Sequence, residues 1–251
     1  MTFVGKKVLI TGSTRGIGFA LAEHFLKAGA LVAINGREDV NVDTAIAKLG
    51  SPLEAFSAAG NLSSSDDCHQ VVNEACDRLG GLDLLINNAG VFDIASIQDT
   101  DESTWDRAMN TNVKAAFFCT QAAVPILKPV GGSVINHSSI AGLIGLANVA
   151  AYCASKGALV QLTRSMAMEL APDIRVNCVC PTTVNNEMGW QGFNRTDDPE
   201  AAYQAFVAAS KMKRMPTNED VVAAFSFLAS PAASFMTGVA LPVDGGKSAG
   251  I

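Results

Sequence analysis

Short apolar runs and amphipathic stretches alternate along most of the chain. Lys7-Val-Leu-Ile-Thr11 is one such run, and beyond it Ile17, Leu21, Phe25 and Ala28 recur at helical spacing. Gly29 is placed to cap that helix before a second run at residues 31–35. The pattern then predicts a strand near 53–57, a helix over 65–79, a strand at 82–87 and a mostly helical segment over 104–127. A fifth strand, Ser133 to His137, leads through a short loop to a helix on which Ala154, Ala158, Leu159, Leu162, Met166 and Leu170 share a face. A sixth strand follows at 174–178. There the alternation stops: residues 187–215 carry Met188, Trp190, Phe193, Tyr203, Phe206, Met212 and Met215 among polar residues, which predicts a substrate lid with one or two helices. A last helix, with Asn218 as its N-cap, and a strand at 239–243 complete the pattern. Repeated strand-then-helix order predicts an α/β fold, a doubly wound parallel sheet with helices on both faces in three layers. Without linker-like segments or repeats, residues 1–251 read as a single domain.

Composition narrows the function classes. The 251 residues are 49% hydrophobic, enough for one large core. The net charge of -6 and the lack of a basic run disfavour nucleic acid and anionic membrane surfaces. The uncharged stretch 129–155 is long enough for a membrane span, but its Gly, Ser, Asn and His content argues against one. Six scattered cysteines and an N-terminus without a signal-peptide pattern predict reduced thiols in the cytoplasm. Cys178-x-Cys180 is too short for a zinc pair, and His24, His69 and His137 show no ligand spacing, so no metal is expected.

Polar residues of unusual type gather where the predicted strands end. The first run opens into Gly12-Ser-Thr-Arg-Gly16-Ile-Gly18 and then a helix. Glycine there lets the backbone turn tightly and approach a phosphate, while free N–H groups at the helix start form an anion site. The second run ends in Gly36-Arg37, where readers of NAD usually place an acid, and Arg15 lies inside the glycine turn. Two guanidinium groups near that ribose suit a 2′-phosphate. NADP(H) is therefore favoured; NAD(H) stays open if Arg37 is a solvated charge and Glu38 or Asp39 reads the ribose. The fourth run ends in Asn87-Asn-Ala-Gly90, the fifth in Ser138-Ser139 and the sixth in Pro181-Thr-Thr-Val-Asn-Asn186. Carboxyl ends of strands form the ligand crevice of such sheets, so one nucleotide-plus-carbonyl site accounts for all of them.

Within the helical segment 104–127, Asn112 marks a local irregularity, because asparagine competes for backbone groups. Tyr152 and Lys156 fall one turn apart on a helix face. A cation within ~4–6 Å lowers a neighbouring acid by roughly 1–3 units, which predicts a Tyr152 phenol able to exchange a proton near neutral pH. Ser138 or Ser139 would polarise a substrate carbonyl. Taken alone, the Tyr–Lys pair is also what a packed aromatic beside a solvated lysine looks like.

Together, Thr11-Gly-x-x-x-Gly16-Ile-Gly18, Asn87-Asn-Ala-Gly90, Asn112, Ser139, Tyr152-x-x-x-Lys156, Ile174-Arg-Val-Asn177 and Val243-Asp-Gly-Gly246 resemble a single-domain short-chain dehydrogenase/reductase over nearly the whole chain. The resemblance implies a Rossmann-type sheet of about seven strands and hydride transfer between a nicotinamide and a secondary alcohol or ketone. It makes Tyr152 the general acid/base, Ser139 the group that orients the substrate oxygen, Lys156 the group that lowers the Tyr152 pKa and binds the nicotinamide ribose, and Asn112 the holder of a relay water. It places Gly12, Ser13, Thr14, Arg15, Gly16, Ile17 and Gly18 around the pyrophosphate. Further cofactor contacts fall to Arg37, Asn61, Leu62, Asn88, Ala89, Gly90, Tyr152, Lys156, Pro181, Thr182, Val184 and Asn186. Asn61 stands where the family often has Asp, Thr182 where it often has Gly, and Asn186 where a Thr usually meets the carboxamide. The resemblance also implies a homotetramer built through the helices near 104–127 and 152–170. Phe92, Ile94, Leu143, Leu146 and the lid suggest an apolar pocket for a mid-sized uncharged substrate. A reductase of acyl-carrier-protein thioesters, docking on Lys128, Lys211, Lys213 and Arg214, and a non-catalytic nucleotide sensor are the alternative readings.

Overall fold

The computed structural model describes residues 1–250. In chain order it runs β1 (Lys7–Ile10), α1 (Gly16–Lys27), β2 (Leu31–Ile34), α2 (Asp39–Lys48), β3 (Ala55–Ser57), α3 (Ser65–Leu79) and β4 (Leu84–Asn87). Next come α4 (Glu102–Met109), a π-helical turn (Asn110–Lys114), α5 (Ala115–Leu127), β5 (Ser133–His137) and α6 (Ala150–Leu170). The remainder is β6 (Arg175–Pro181), α7 (Glu187–Phe193), α8 (Pro199–Ala209), α9 (Asn218–Ala229) and β7 (Ala240–Val243). All seven strands pair in parallel in the order β3-β2-β1-β4-β5-β6-β7. The order reverses between β1 and β4, which opens a crevice at the carboxyl ends there.

Two apolar layers clamp the sheet. On one face α1 and α9 pack together and bury Phe25 and Phe225 completely, each worth about 1.5–3 kcal/mol of apolar transfer. On the other face α3, α5 and α6 bury Val72, Cys119, Leu127 and Met166. This is the expected three-layer α/β/α arrangement. The uncharged stretch 129–155 resolves into β5, a short turn, a loop and the start of α6, and among the described residues no helix is long and apolar enough to cross a membrane.

Three local expectations need correction. Helix α2 was not predicted, because it buries only Val42 and Ala45 and so presents a thin apolar stripe. Strand β6 extends to Pro181, since Val179 and Cys180 continue the buried run and the proline closes its end. The N-cap of α9 is Thr217, not Asn218: its hydroxyl accepts from Asp220 N while the Asp220 carboxylate accepts from Thr217 N.

Candidate active site

The glycine turn after β1 is shaped by close approach. Gly12 has a φ of +60°, and a Cβ there would stand 2.8 Å from Ala89 Cα. At Gly18 a Cβ would collide with Asn88 Nδ2 and the Gly12 carbonyl oxygen. Asn88 uses that proximity, its Nδ2 donating to Thr11 O and Gly12 O at 2.9 Å each. Thr11 Oγ1 accepts from Asn88 N and Ala89 N, so the β1 and β4 ends are tied together. Ser13 is fully buried, its hydroxyl donating to Ile10 O and accepting from Asn35 N and its backbone N–H donating to Asn35 O, so neither donor is free for a ligand.

The N-terminus of α1 has no side-chain cap and no acidic residue in its first turn. Its orphan N–H groups and the positive end of the helix dipole form an anion cradle. Arg15 and Arg37 are exposed beside this crevice, and among the described residues neither is in an ion pair. Thr14 lies against Gly36, where a Cβ would come 2.5 Å from its methyl group. Ile17 and Leu62 pack on the two core faces, and Asn61 is exposed with Oδ1 accepting from Leu62 N. Glu38 receives a hydrogen bond from Asn41. At the end of β6, Thr182 is 7% exposed and its hydroxyl has no partner among the described residues, while Val184 is buried beyond it. An uncapped helix start, two unpaired arginines and an orphaned buried hydroxyl are the features a dinucleotide would satisfy.

The proposed reacting groups meet at the end of β5. Ser138 Oγ donates to Lys156 O at 2.9 Å and fixes α6 to the strand. Ser139 caps the following short turn, accepting from Ala141 N at 3.1 Å, and points its hydroxyl at Pro181 O, 3.5 Å away. Lys156 Nζ donates to His137 O at 2.7 Å and lies 5.7 Å from the Tyr152 ring centre. Phe92 meets Tyr152 edge to face at 4.8 Å, holding the phenol from the β4 side. A Cβ on Gly90 would lie 3.5 Å from Lys156 Nζ, so that loop passes directly over the ammonium.

Electrostatics here differ from the expectation. Burial pushes the Tyr152 phenol up to about 12, with the Ser139 hydroxyl pulling the other way, and burial lowers Lys156 to about 8. Desolvation therefore dominates the phenol, and the pull against it comes from the Ser139 hydrogen bond. Asn112 sits in the π-helical turn, as the irregularity predicted, and its side chain is hydrogen-bonded to the β4–α4 loop and to α6. Its Oδ1 accepts from Val91 N, and Nδ2 donates to Val91 O and Ser155 Oγ, which leaves one Oδ1 lone pair as the side chain's remaining site for a water. Asn186 is likewise occupied: it caps α7 through Gly189 N and donates to Asn218 Oδ1. Reading the sequence missed Thr11 and His137, although a histidine directly before the Ser pair was visible.

Beyond β6 come α7 and α8, neither with a buried residue. Trp190 stacks on Tyr203 at 5.1 Å, Phe193 meets Trp190, Tyr203 and Phe206 edge to face, and Lys247 lies 4.0 Å above the Phe206 ring. A Cβ on Gly192 would lie 4.0 Å from Ile94 Cδ1, so α7 comes against the β4–α4 loop there.

A family profile described as Enoyl-(Acyl carrier protein) reductase matches residues 12–248. The chain is 39% identical to an uncharacterized oxidoreductase of Thermotoga maritima, over 99% of this chain and 100% of that one. The chain belongs to the short-chain dehydrogenase/reductase family. Meso-2,3-butanediol dehydrogenase of Serratia marcescens is 36% identical over 99% of this chain and 97% of its own length. Among solved structures, the short-chain dehydrogenase/reductase titled glucose/ribitol dehydrogenase from Brucella melitensis superposes with a TM-score of 0.88 at 31% identity, covering 98% of this chain and 99% of its own. Membership in the short-chain dehydrogenase/reductase family makes this an oxidoreductase that uses NAD(P).

Proposed function

We propose that the protein is an NADP(H)-preferring enzyme that interconverts a secondary alcohol and its ketone, with Tyr152 as general acid/base. The observation that carries this reading is the meeting of Ser139, Tyr152 and Lys156 at the end of β5, beside the uncapped start of α1. When bound, a nicotinamide dinucleotide supplies the hydride carrier. Arg15, Gly16 and the first turn of α1 would hold its phosphates, Arg37 the 2′-phosphate, and Thr182 Oγ1 a polar group of the nicotinamide end. Ser139 donates a hydrogen bond to the substrate oxygen and Tyr152 transfers its proton to that oxygen. A phenol near 12 keeps its proton at neutral pH, which suits the reductive direction. Lys156, near 8, is mostly charged there and stabilises the phenolate left behind.

Butanediol and 3alpha-hydroxysteroid dehydrogenases among the relatives support an alcohol or ketone substrate. Phe92 and Ile94 give the pocket an apolar wall, and residues 187–215 act as its lid within a single domain. The acyl-carrier-protein reading is weaker, since Lys128 pairs with Asp173, Lys213 bonds Ala208 O and Arg214 pairs with Asp220. Trp105, Phe117 and Met168, exposed on α4, α5 and α6, support a homotetramer through those helices. Six unpaired thiols support a reducing cytoplasm.

The test is a fluorescence titration with NADPH and, separately, NADH. NADPH is expected to bind more tightly, with the preference falling about tenfold in Arg37→Ala, as loss of a charge-assisted phosphate contact predicts. Preference for NADH would overturn the phosphate-reading arginines, and binding of neither would overturn the enzyme assignment.

A further inference from the structure

His137 ends β5 one residue before Ser138, and the proposed chemistry leaves its ring unused. The imidazole Nδ1 lies 2.8 Å from Asn88 Oδ1, and the ring meets Phe225 edge to face at 5.5 Å. The direction of that hydrogen bond follows from the neighbours. Asn88 gives both Nδ2 hydrogens to backbone carbonyls, Thr11 O and Gly12 O, so its Oδ1 can only accept. His137 Nδ1 must therefore carry the proton. It donates from the neutral imidazole, which burial and the Lys156 charge favour, and would equally donate from the cation.

This bond completes a chain of contacts from the catalytic strand to the glycine turn. Asn88 Nδ2 fills the space that the missing Gly18 side chain leaves, and Ala89 packs where a Gly12 side chain would be. Turned over, the Asn88 carboxamide would set its oxygen against two carbonyl oxygens. Without a donor at residue 137, Oδ1 would lose its one partner among the described residues and be drawn toward water, away from the turn. At the same time the His137 carbonyl accepts from Lys156 Nζ at 2.7 Å. One residue thus touches the amide that shapes the phosphate turn and the ammonium beside Tyr152.

We infer that His137 is a positioning residue that locks the Asn88 carboxamide against the Gly12 turn, so that dinucleotide affinity depends on its Nδ1 donor. This rests on the proposed dinucleotide site. The closest replacement is Asn, whose Nδ2 can stand at the imidazole Nδ1 position; Leu fills similar space with no donor.

The experiment compares parent, His137→Asn and His137→Leu by NADPH and NADH titration, by steady-state kinetics, and by hydrogen exchange of the 12–18 amides in ligand-free protein. His137→Leu is expected to weaken dinucleotide binding about tenfold and to speed exchange at the turn by a similar factor, with kcat within about threefold. His137→Asn is expected to restore both to within about threefold of the parent. Leu binding as tightly as the parent, or Asn losing as much as Leu, would overturn the inference. If the parent binds neither dinucleotide, the proposed function fails separately, and turn exchange alone decides: acceleration in Leu but not Asn supports the lock, and unchanged exchange refutes it. Should Leu not fold, the imidazole nitrogen shifts of the parent decide, with the Nδ1–H form expected and the Nε2–H form contradicting it.

Discussion

The floor of the crevice and its proposed cover, residues 187–215, are built in opposite ways. On the floor, Thr11, Asn35, Asn88, Asn112 and Ser138 each bond across to another element, and most residues of the strands beneath them are buried. On the cover, Trp190, Phe193, Tyr203 and Phe206 pack on one another, and α7 and α8 bury none of their residues. The cover is tied down at its ends, by Asn186 to Asn218 and by Asn185 N to Pro216 O. Groups that must be in place before reaction are held by a rigid scaffold. Elements with few buried contacts open at low free-energy cost, which is what a lid over a changing ligand requires.

Breaking the floor should cost chemistry first. Lys156→Met is expected to reduce turnover by about 100-fold or more, the scale of a lost acid/base partner, read in steady-state assays on a confirmed substrate. It should also change stability against pH with a definite sign. Lys156 titrates near 8 in the fold and near 10.5 in the unfolded chain, so between these values the unfolded state binds more protons. Stability from this group therefore rises with pH across that window. Urea midpoints of the parent should gain on those of Lys156→Met between pH ~8 and ~10. A parallel shift of both proteins would remove the buried ammonium from the account.

Breaking the cover should cost less and act elsewhere. Trp190→Ala removes the stacked ring and the Asn185 hydrogen bond, and is expected to raise substrate KM by roughly three- to tenfold with kcat nearly unchanged. Thermal unfolding should move by only a few degrees at most, as about 1 kcal/mol in a protein of this size implies. A large loss of kcat in Trp190→Ala would mean that the cover takes part in the chemistry.

The same contrast governed what could be read in the sequence. Floor residues stand at strand ends in fixed spacing, so Gly12, Asn88, the Ser138–Ser139 pair, Tyr152 and Lys156 stand out as candidates in the sequence, and the family resemblance, not spacing, chooses Ser139. Their partners do not stand out. Nothing local says that Asn112 bonds Val91 or that His137 bonds Asn88, because those contacts cross the sheet. The lowered Tyr152 pKa was misjudged because spacing reports the nearby cation but not the desolvation around both groups. Helix α2 has too weak a periodic signal, with two buried residues, whereas the Thr217–Asp220 capping box is legible in the sequence as Thr-x-x-Asp. For the cover, composition gave the aromatic residues, but only the fold reveals that they face one another.

The central claim is that Tyr152 carries the proton in a dinucleotide-dependent hydride transfer. The most direct measurement is turnover of Tyr152→Phe on a confirmed alcohol or ketone, with dinucleotide binding titrated on the same preparation. Loss of turnover by about 100-fold or more, with dinucleotide affinity within about twofold of the parent, is the predicted result. Turnover within a few fold of the parent would contradict it and move the acid/base role to another group.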